Sequence, residues 1–367
     1  MLLYLIVMIW LYLGIQKLAF KKVEIASPSV SFSVCIAFRN EAAILNRLLV
    51  SLKNIDYPNH LYEIILINDH STDESVKICK EFIAQHSYVP FQIIHATNAY
   101  SNSPKKEALL KAIHKSTKTY IITTDADCEV PPIWLHAFNK EIIKTSANFV
   151  AGPVSYFSEE SFLNFFQNLD FLSLQAATLG GFGQQHPFLC NGANLCYKKE
   201  TFFELDAFNG NEHIASGDDM FLLDKMIGAH KKVVYLASAE AIVYTHATET
   251  WKGLLLQRIR WASKTTASKN CYGKSIGGII FLTNACLMLM AIIGLFQPTY
   301  LLLFLEMFVT KLLIDFVILK KAANIFEKAI VKGNYFYVAF IHPFFISITA
   351  FLSVFKSYSW KERTFKK

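Results

Sequence analysis

Residues 118–127 read KTYIITTDAD, a β-branched apolar run that ends in the carboxylates of Asp125 and Asp127. A short apolar run of this kind is typical of a buried strand. Working outward toward the N-terminus, three similar runs occur, each followed by a helical pattern: SFSVCIAF at 31–38, YEIILIND at 62–69 and FQIIHA at 91–96. This alternation predicts an α/β fold with a parallel sheet and helices on both of its faces.

The composition indicates a membrane protein. Apolar residues make up 53% of the 367 residues and charged residues only 18%, which is too apolar for an ordinary soluble domain. The formal net charge is +7, but Lys and Arg are dispersed, so we expect no nucleic-acid partner. Anionic lipid headgroups and a phosphate-bearing substrate account better for the positive charge. The seven cysteines form neither a CxxC knuckle nor an even disulfide framework, which favours reduced thiols in a cytosolic compartment.

Four apolar segments are long enough to span a bilayer: 1–20, 276–296, 299–319 and 334–355. A cleaved signal peptide is the alternative for the first, but its basic start and small-residue cleavage site are missing. We predict that Glu306, Lys311 and Asp315 of the third segment face protein rather than lipid. Two stretches with apolar and polar faces, 158–179 and 250–268, are expected to lie on the membrane surface or to be ordinary domain helices.

The predicted domains are an N-terminal transmembrane anchor at 1–22, an α/β domain at 30–249, an interfacial helix at 250–270, a transmembrane region at 276–355 and a basic tail at 356–367. The positive-inside rule applied to Lys21, Lys22 and the lysines after the third segment places the α/β domain in the cytoplasm, on a multi-pass inner-membrane protein. The same count puts the tail outside. A break at Pro343 would instead return it to the cytoplasm.

Asp125 and Asp127 leave the sheet where the substrates of α/β proteins bind. Two carboxylates with phosphate oxygens are a common way to hold Mg²⁺ or Mn²⁺ on a nucleotide diphosphate. Solvated Asp pairs in loops are the alternative. Asp69 follows an earlier strand and is a candidate for binding a base or ribose, whereas Lys105 and Lys106 are candidates for binding phosphate.

Two later motifs also carry candidate chemistry. Asp218 and Asp219 precede a helical run, where they either cap the helix or supply a general base, for which Asp219 is the candidate. Residues 257–261 read QRIRW, and Arg binds phosphate bidentately whereas the face of Trp stacks on sugars or cations. A membrane-flanking anchor has the same composition.

In this order the motifs resemble those of family 2 glycosyltransferases, especially the membrane-embedded branch of cellulose, chitin and hyaluronan synthases, over about residues 30–265. The match runs from residues 37–41 through the Asn68-Asp69 turn and the DxD motif to the QRIRW pentapeptide, which is its most specific part. The resemblance implies a GT-A-like, Rossmann-type nucleotide-sugar-binding domain. It also implies an inverting enzyme that transfers a sugar from a UDP-sugar to an acceptor hydroxyl in polysaccharide or glycolipid biosynthesis.

The resemblance also implies residue roles. Catalysis falls to Asp219 with its neighbour Asp218. The metal ligands are Asp125 and Asp127, with His246 as a weaker candidate. The implied donor contacts are Asn40, Glu41, Asp69, Lys105, Asp125, Gln257, Arg260 and Trp261. The implied acceptor contacts are Asn191, Gly192 and Trp261.

The chain departs from the family pattern in two respects. Arg39 replaces an aromatic residue and Asn68 replaces an Asp, which bears on base recognition. Four spans are also fewer than those of polymer-extruding synthases, so the enzyme adds one sugar to a glycan or lipid-linked acceptor, or works with other membrane subunits or as a homo-oligomer. The alternatives are a processive polysaccharide synthase and a non-catalytic nucleotide-sugar sensor or scaffold. A dinucleotide oxidoreductase is excluded because no GxGxxG follows the first strand.

Overall fold

The computed structural model describes the chain except residues 21, 23–24, 98–102, 159, 212–213, 215–216, 356–357, 361–362 and 366–367. Lys21 and parts of the predicted basic tail therefore lie outside the described residues. The chain forms two compact units. The sheet unit comprises Phe20–Ser155, Cys190–His246 and Ser359–Lys367. The helical unit comprises Met1–Ala19, Tyr156–Leu189 and Ala247–Tyr358.

The strands, in chain order, are β1 Phe32–Phe38, β2 Tyr62–Asn68, β3 Phe91–His95, β4 Tyr120–Thr123, β5 Cys128–Glu129, β6 Phe149–Ala151, β7 Val154–Tyr156, β8 Leu195–Lys198, β9 Val233–Tyr235, β10 Val243–Thr245, β11 Tyr358–Trp360 and β12 Arg363–Phe365. The four strands predicted from the sequence are confirmed as β1 to β4. The apolar, β-branched side chains of β1, β2 and β4 are buried because helices cover the sheet, whereas those of β3, the edge strand, are partly exposed.

The main sheet has the order β3-β2-β1-β4-β8-β6-β9. Strands β1 to β4 are parallel, as predicted, but β8 runs antiparallel to both β4 and β6. The predicted parallel sheet is therefore confirmed for these four strands, and the antiparallel β8 makes the complete sheet mixed. Strand β8 enters the sheet after the 156–189 segment rather than from β4 through one crossover helix, so the βαβ rule does not set its direction. A second sheet has the order β5-β10-β7.

The helices that pack on the sheets are α2 Leu45–Lys53, α3 Ser75–Gln85, α4 Pro104–Lys115, α5 Trp134–Thr145, α7 Lys199–Glu204 and α8 Asp218–Gly228. Helix α2 shows why the sequence folds this way: its leucines at 45, 48, 49 and 52 recur at helical spacing and are all fully buried. Burying this apolar stripe against the sheet stabilises the helix.

The helical unit contains α1 Leu2–Lys17, α6 Phe162–Gly183, α9 Trp251–Ala267, α10 Cys271–Gly294, α11 Pro298–Ile325 and α12 Lys332–Phe355. The two predicted amphipathic stretches are helices α6 and α9, and each begins at a hydroxyl cap, Ser161 and Thr250 respectively. Helix α1 packs closely on α6. A Cβ atom on Gly14 would overlap the backbone of Gly180, so glycine is required at this crossing.

Within the described residues, two helices are long and apolar enough to cross a membrane, Cys271–Gly294 and Gly333–Ser353. Helix α1 is apolar but spans only 16 residues, and α11 contains several charged residues. The lengths and compositions of α10 and α12 agree with two of the four predicted spans, and all four spans stay a prediction. Helix α12 continues through Pro343, so the break considered from the sequence is not present.

The charged residues of α11 differ in their environments. Lys311 and Asp315 form an ion pair one turn apart, and the hydroxyl of Tyr4 donates to Oδ1 of Asp315 at 2.5 Å. Lys311 is buried, as predicted. Glu306 is exposed, so the prediction that it faces protein was wrong. Its helix position turns it away from the face that carries Lys311.

Candidate functional site

The loops after β1 and β2 are held together by side chains from both. Arg39 Nη1 donates to the backbone carbonyls of Asp69 and His70, at 2.9 and 2.7 Å. Asn40 adopts a positive φ of 50°, and its Oδ1 accepts from the backbone N–H of Thr72 at 2.9 Å. The departure at position 39 therefore has a structural use, since Arg39 fixes the turn that presents Asp69.

Asp69 lies at the carboxyl end of β2 and is only 3% exposed. Its Oδ1 is 3.2 Å from Nδ1 of His70. Glu41, in the loop after β1, is fixed by a hydrogen bond in which its backbone N–H donates to Oγ of Ser75, the first residue of α3, at 2.9 Å. The residues predicted to hold the nucleotide thus lie on two loops that hydrogen bonds tie together.

Lys105, near the start of α4, connects the two acidic motifs. Its Nζ lies 2.7 Å from Oδ1 of Asp125 and 3.2 Å from Oδ2 of Asp218. Burial disfavours the charged ammonium, but Asp125 and Asp218 outweigh it and raise the pKa of Lys105 above its usual range. The lysine predicted to contact phosphate is therefore a permanent cation between carboxylates 93 positions apart in sequence.

Asp219 lies in the first turn of α8 and is 9% exposed. Its Oδ2 accepts from the backbone N–H of Gly192 at 3.3 Å, and its Oδ1 accepts from its neighbour's N–H, that of Met220, at 2.8 Å. The carbonyl of Gly192 in turn accepts from Oγ1 of Thr123, the last residue of β4, at 3.0 Å. Asn191 shapes this loop by accepting from the N–H of Ala193.

Asp125 and Asp127 supply oxygen ligands, the type that a hard divalent cation prefers. In the part of the chain that the structure describes, no three His, Cys, Asp or Glu side chains group closely enough to enclose a metal ion. His246 follows β10, whose Thr245 pairs with Cys128, but Nε2 of His246 lies 3.2 Å from Nη1 of Arg47.

The QRIRW motif lies on α9 in the helical unit. Arg258 Nε is 2.5 Å from Oδ2 of Asp170, and the guanidinium carbon is 4.2 Å from the centroid of the Trp261 ring. Gln257 Oε1 accepts from the hydroxyl of Tyr156 at 3.4 Å and from Nη1 of Arg258. Arg260 and Trp261 are both partly exposed.

The structure brings Lys105, Asp125, Asp218, Asp219 and Gly192 together through direct contacts in the sheet unit, whereas Gln257, Arg260 and Trp261 belong to α9 of the helical unit.

Two participants were not singled out from the sequence, Thr123 and Asp170. Thr123 directly precedes the Thr-Asp-Ala-Asp run and gave no separate signal. Asp170 did carry a signal, since it is the only charged residue in the 22-residue helix α6.

The chain matches the Glycosyl transferase family 2 model over residues 33–203 and the Glycosyl transferase family group 2 model over residues 120–352, more than half of its length. It is 25% identical over 237 residues to the "Probable glycosyltransferase YdaM" of Bacillus subtilis, covering 63% of this chain and 54% of that protein. It is also 25% identical over 243 residues to the "Poly-beta-1,6-N-acetyl-D-glucosamine synthase" of Staphylococcus epidermidis, covering 63% and 53%. The chain thus spans about half the length of these curated relatives.

Among solved structures, the chain resembles "Mannosyltransferase PcManGT from Pyrobaculum calidifontis in complex with GDP-Man and Mn2+", with a TM-score of 0.58, 15% identity and 96% coverage of both chains. At that identity the likeness supports the GT-A type of fold. The matches to the two family models show more than the fold, because they also identify the family of the chain. Since the family group model covers more than half of the chain, the protein belongs to glycosyltransferase family 2 and is an enzyme that transfers sugars.

Proposed function

We propose that the protein is an inverting, cation-dependent glycosyltransferase that moves a sugar from a nucleoside diphosphate sugar, a UDP-sugar in our assignment, to an acceptor hydroxyl at a membrane. The observation that carries this proposal is the contact of Lys105 with both Asp125 and Asp218. It joins the carboxylates suited to a cation with the acidic pair that contains a candidate base.

The donor would be held at the carboxyl ends of β1, β2 and β4. Asp69, with the Asn40-Glu41 loop, would bind the nucleoside, and Asp125 and Asp127 would hold Mg²⁺ or Mn²⁺. When bound, the cation neutralises charge that develops on the diphosphate leaving group. Lys105 lies 2.7 Å from Asp125, so its ammonium is close enough to the proposed cation site to donate to phosphate oxygens as well.

Asp219 would accept the proton of the acceptor hydroxyl while that oxygen attacks the anomeric carbon and the diphosphate leaves from the opposite face. Two hydrogen bonds, from the N–H groups of Gly192 and Met220, orient its carboxylate. A base oriented in advance loses little entropy in the reaction. Asp218 would position the acceptor or the lysine rather than take the proton.

From the family resemblance, we assign Asn191, Gly192 and Trp261 to the acceptor and Gln257 and Arg260 to the donor diphosphate. Similarity to a polysaccharide synthase favours a glycan or a lipid-linked sugar as the acceptor. The same similarity makes a processive polysaccharide synthase the second candidate. The length of the product separates the two.

We further propose a multi-pass protein of the inner membrane with a cytoplasmic sheet unit. The two long apolar helices support membrane insertion, and Lys320, Lys321, Lys328 and Lys332, which follow the third apolar segment, favour the cytoplasmic side. Single cysteines placed on α3 and α5 of a variant without exposed thiols should resist an impermeant maleimide in intact cells. Labelling from outside at either helix would contradict this topology.

The activity is tested by incubating membranes that contain the protein with UDP- and GDP-sugars and Mn²⁺, and by measuring release of nucleoside diphosphate. We expect one donor to be turned over, turnover to stop in chelator, and Asp219→Asn to turn over that donor about 10²–10⁴-fold more slowly. Native lipid extract is added to supply acceptors. If the wild-type chain then binds a donor but does not turn it over, the result favours the sensor alternative.

A further inference from the structure

Asp170 stands out among the charged groups that the proposed reaction leaves unused. Its side chain is 3% exposed, and its two oxygens contact residues of two other helices. Oδ2 accepts from Nε of Arg258 at 2.5 Å, and Oδ1 lies 3.2 Å from Nε2 of His342. Burial alone would favour the neutral acid, but Arg258 and His342 hold the pKa of Asp170 below its usual range. The site therefore keeps a charged carboxylate away from water.

Arg258 connects this carboxylate to Trp261. The guanidinium is 5% exposed and lies over the indole ring, 4.2 Å from the centroid. Its Nη1 donates to Oε1 of Gln257 and lies 3.5 Å from the hydroxyl of Tyr156. Nη2 is buried and has no hydrogen-bond partner within the described residues.

The unsatisfied Nη2 indicates that the pair of Asp170 and Arg258 contributes little net stability to the fold. A buried donor without a partner costs free energy, and a buried ion pair is a poor source of net stability compared with apolar packing. The geometry instead favours a role in orienting the Trp261 ring. A planar guanidinium that is bonded to a carboxylate along one edge presents a fixed face to an aromatic ring.

We propose that Asp170 and Arg258 are positioning residues that fix the indole plane of Trp261, with His342 fixing the other oxygen of Asp170. This proposal rests on the proposed function, in which Trp261 contacts the acceptor. It adds two residues to the site, one of them 91 positions before the tryptophan that it orients. The alternative is that the ion pair merely ties helices α6, α9 and α12 together.

The two accounts differ in a signal that needs no substrate. The full chain in detergent, labelled with 5-fluorotryptophan, gives a ¹⁹F resonance for each tryptophan, and Trp261→Phe identifies that of Trp261. In Asp170→Asn we expect the Trp261 resonance to shift and broaden while that of Trp134, in the sheet unit, stays in place. Asn168→Ala, on the same helix but outside the contacts of Asp170, should change neither resonance.

Arg258→Lys is the second variant, since it retains the positive charge beside Asp170 but removes the planar face. We expect the same displacement of the Trp261 resonance in a chain that keeps its melting temperature within a few degrees. An unmoved Trp261 resonance in folded Asp170→Asn or Arg258→Lys would overturn the proposal. So would a displacement of all tryptophan resonances together, which is the result expected of a merely structural pair.

A double-mutant cycle on turnover then links position to reaction. With the donor found in the nucleotide-sugar screen, Asp170→Asn should lower kcat about tenfold, with the donor KM changed less than twofold. In a Trp261→Phe background, Asp170→Asn should lower kcat by less than a further twofold. If the kcat losses of the two single variants instead multiply in the double variant, the proposal is overturned. If the wild-type chain turns over no nucleotide sugar but the ¹⁹F result holds, the proposed function fails and the positioning role stands.

Discussion

The backbone N–H of Gly192 donates to Oδ2 of Asp219, and this bond joins the proposed base to the loop before β8. The carbonyl of Gly192 accepts from Oγ1 of Thr123 at the end of β4. The backbone of the single residue Gly192 thereby connects Asp219 to β4, the strand that the DxD motif follows. Any change to this connection should alter the reaction without altering the chemistry of the carboxylates themselves.

Thr123→Val tests this connection, since it removes the hydroxyl and keeps the shape of the side chain. Loss of one buried hydrogen bond costs about 0.5–1.5 kcal/mol. If that bond orients the base, we expect turnover to fall about 2- to 12-fold with little change in donor KM. Thr124→Val is the matched control, because the buried hydroxyl of Thr124 bonds to no backbone group in the part of the chain that the structure describes. Equal effects of the two variants on kcat would show that the hydroxyl of Thr123 does not orient Asp219.

Asp219→Asn separates binding from chemistry. The amide keeps the size and can still accept from Gly192, but it cannot take the acceptor's proton. We expect donor affinity, measured calorimetrically, to survive while turnover falls about 10²–10⁴-fold, the usual contribution of a positioned general base. Asp218→Asn should cost less. The reverse ranking would move the base to Asp218, and loss of donor binding in Asp219→Asn would place this carboxylate on the nucleotide or the cation.

Asp127→Ala should abolish donor turnover, because the diphosphate loses the cation that neutralises its developing charge. Chelation of the wild-type enzyme should have the same effect, and Mn²⁺ should restore activity to the wild type only. Glu74→Ala, a change at an exposed carboxylate in the same unit, serves as the control. Full activity in chelator would remove the cation from the mechanism.

Lys105→Met should separate two roles of the lysine. Without its ammonium, the carboxylates of Asp125 and Asp218 face each other uncompensated, so we expect tighter Mn²⁺ binding in the absence of donor. The KM for the nucleotide sugar should rise, since a cation near the diphosphate is lost. Lys111→Met, on the same helix, should change neither quantity, because Lys111 bonds only the carbonyl of His95 among the contacts described for it. Weaker Mn²⁺ binding in Lys105→Met would contradict the bridging role.

Lys311→Leu should weaken folding of the helical unit more than Leu313→Ala does. The change leaves Asp315 without its ion-pair partner, whereas Leu313 is exposed. Breaking a buried pair by removing one partner costs about 3–5 kcal/mol. Thermal unfolding in detergent measures both variants, and Lys311→Leu/Asp315→Leu should recover part of the loss. Equal melting temperatures for the two single variants would count against the pairing.

The sequence by itself determined the local elements and the order of the motifs. The runs that became β1 to β4 are apolar and β-branched at the right length, and the carboxylates of Asp69 and Asp125 directly follow two of them. Because periodicity and strand ends are local properties, they can be inferred without knowing where the rest of the chain lies. The family was likewise predicted from motif order and is confirmed.

Only the tertiary structure decided which of these groups meet. The antiparallel course of β8, the bond from Gly192 to Asp219, the bridge of Lys105 between Asp125 and Asp218, and the pairing of Asp170 with Arg258 all join residues that are far apart in sequence. Such contacts depend on the paths of the intervening loops and helices, and no local pattern in the sequence encodes those paths. The sequence named the chemical groups, and the packing of the chain set their partners.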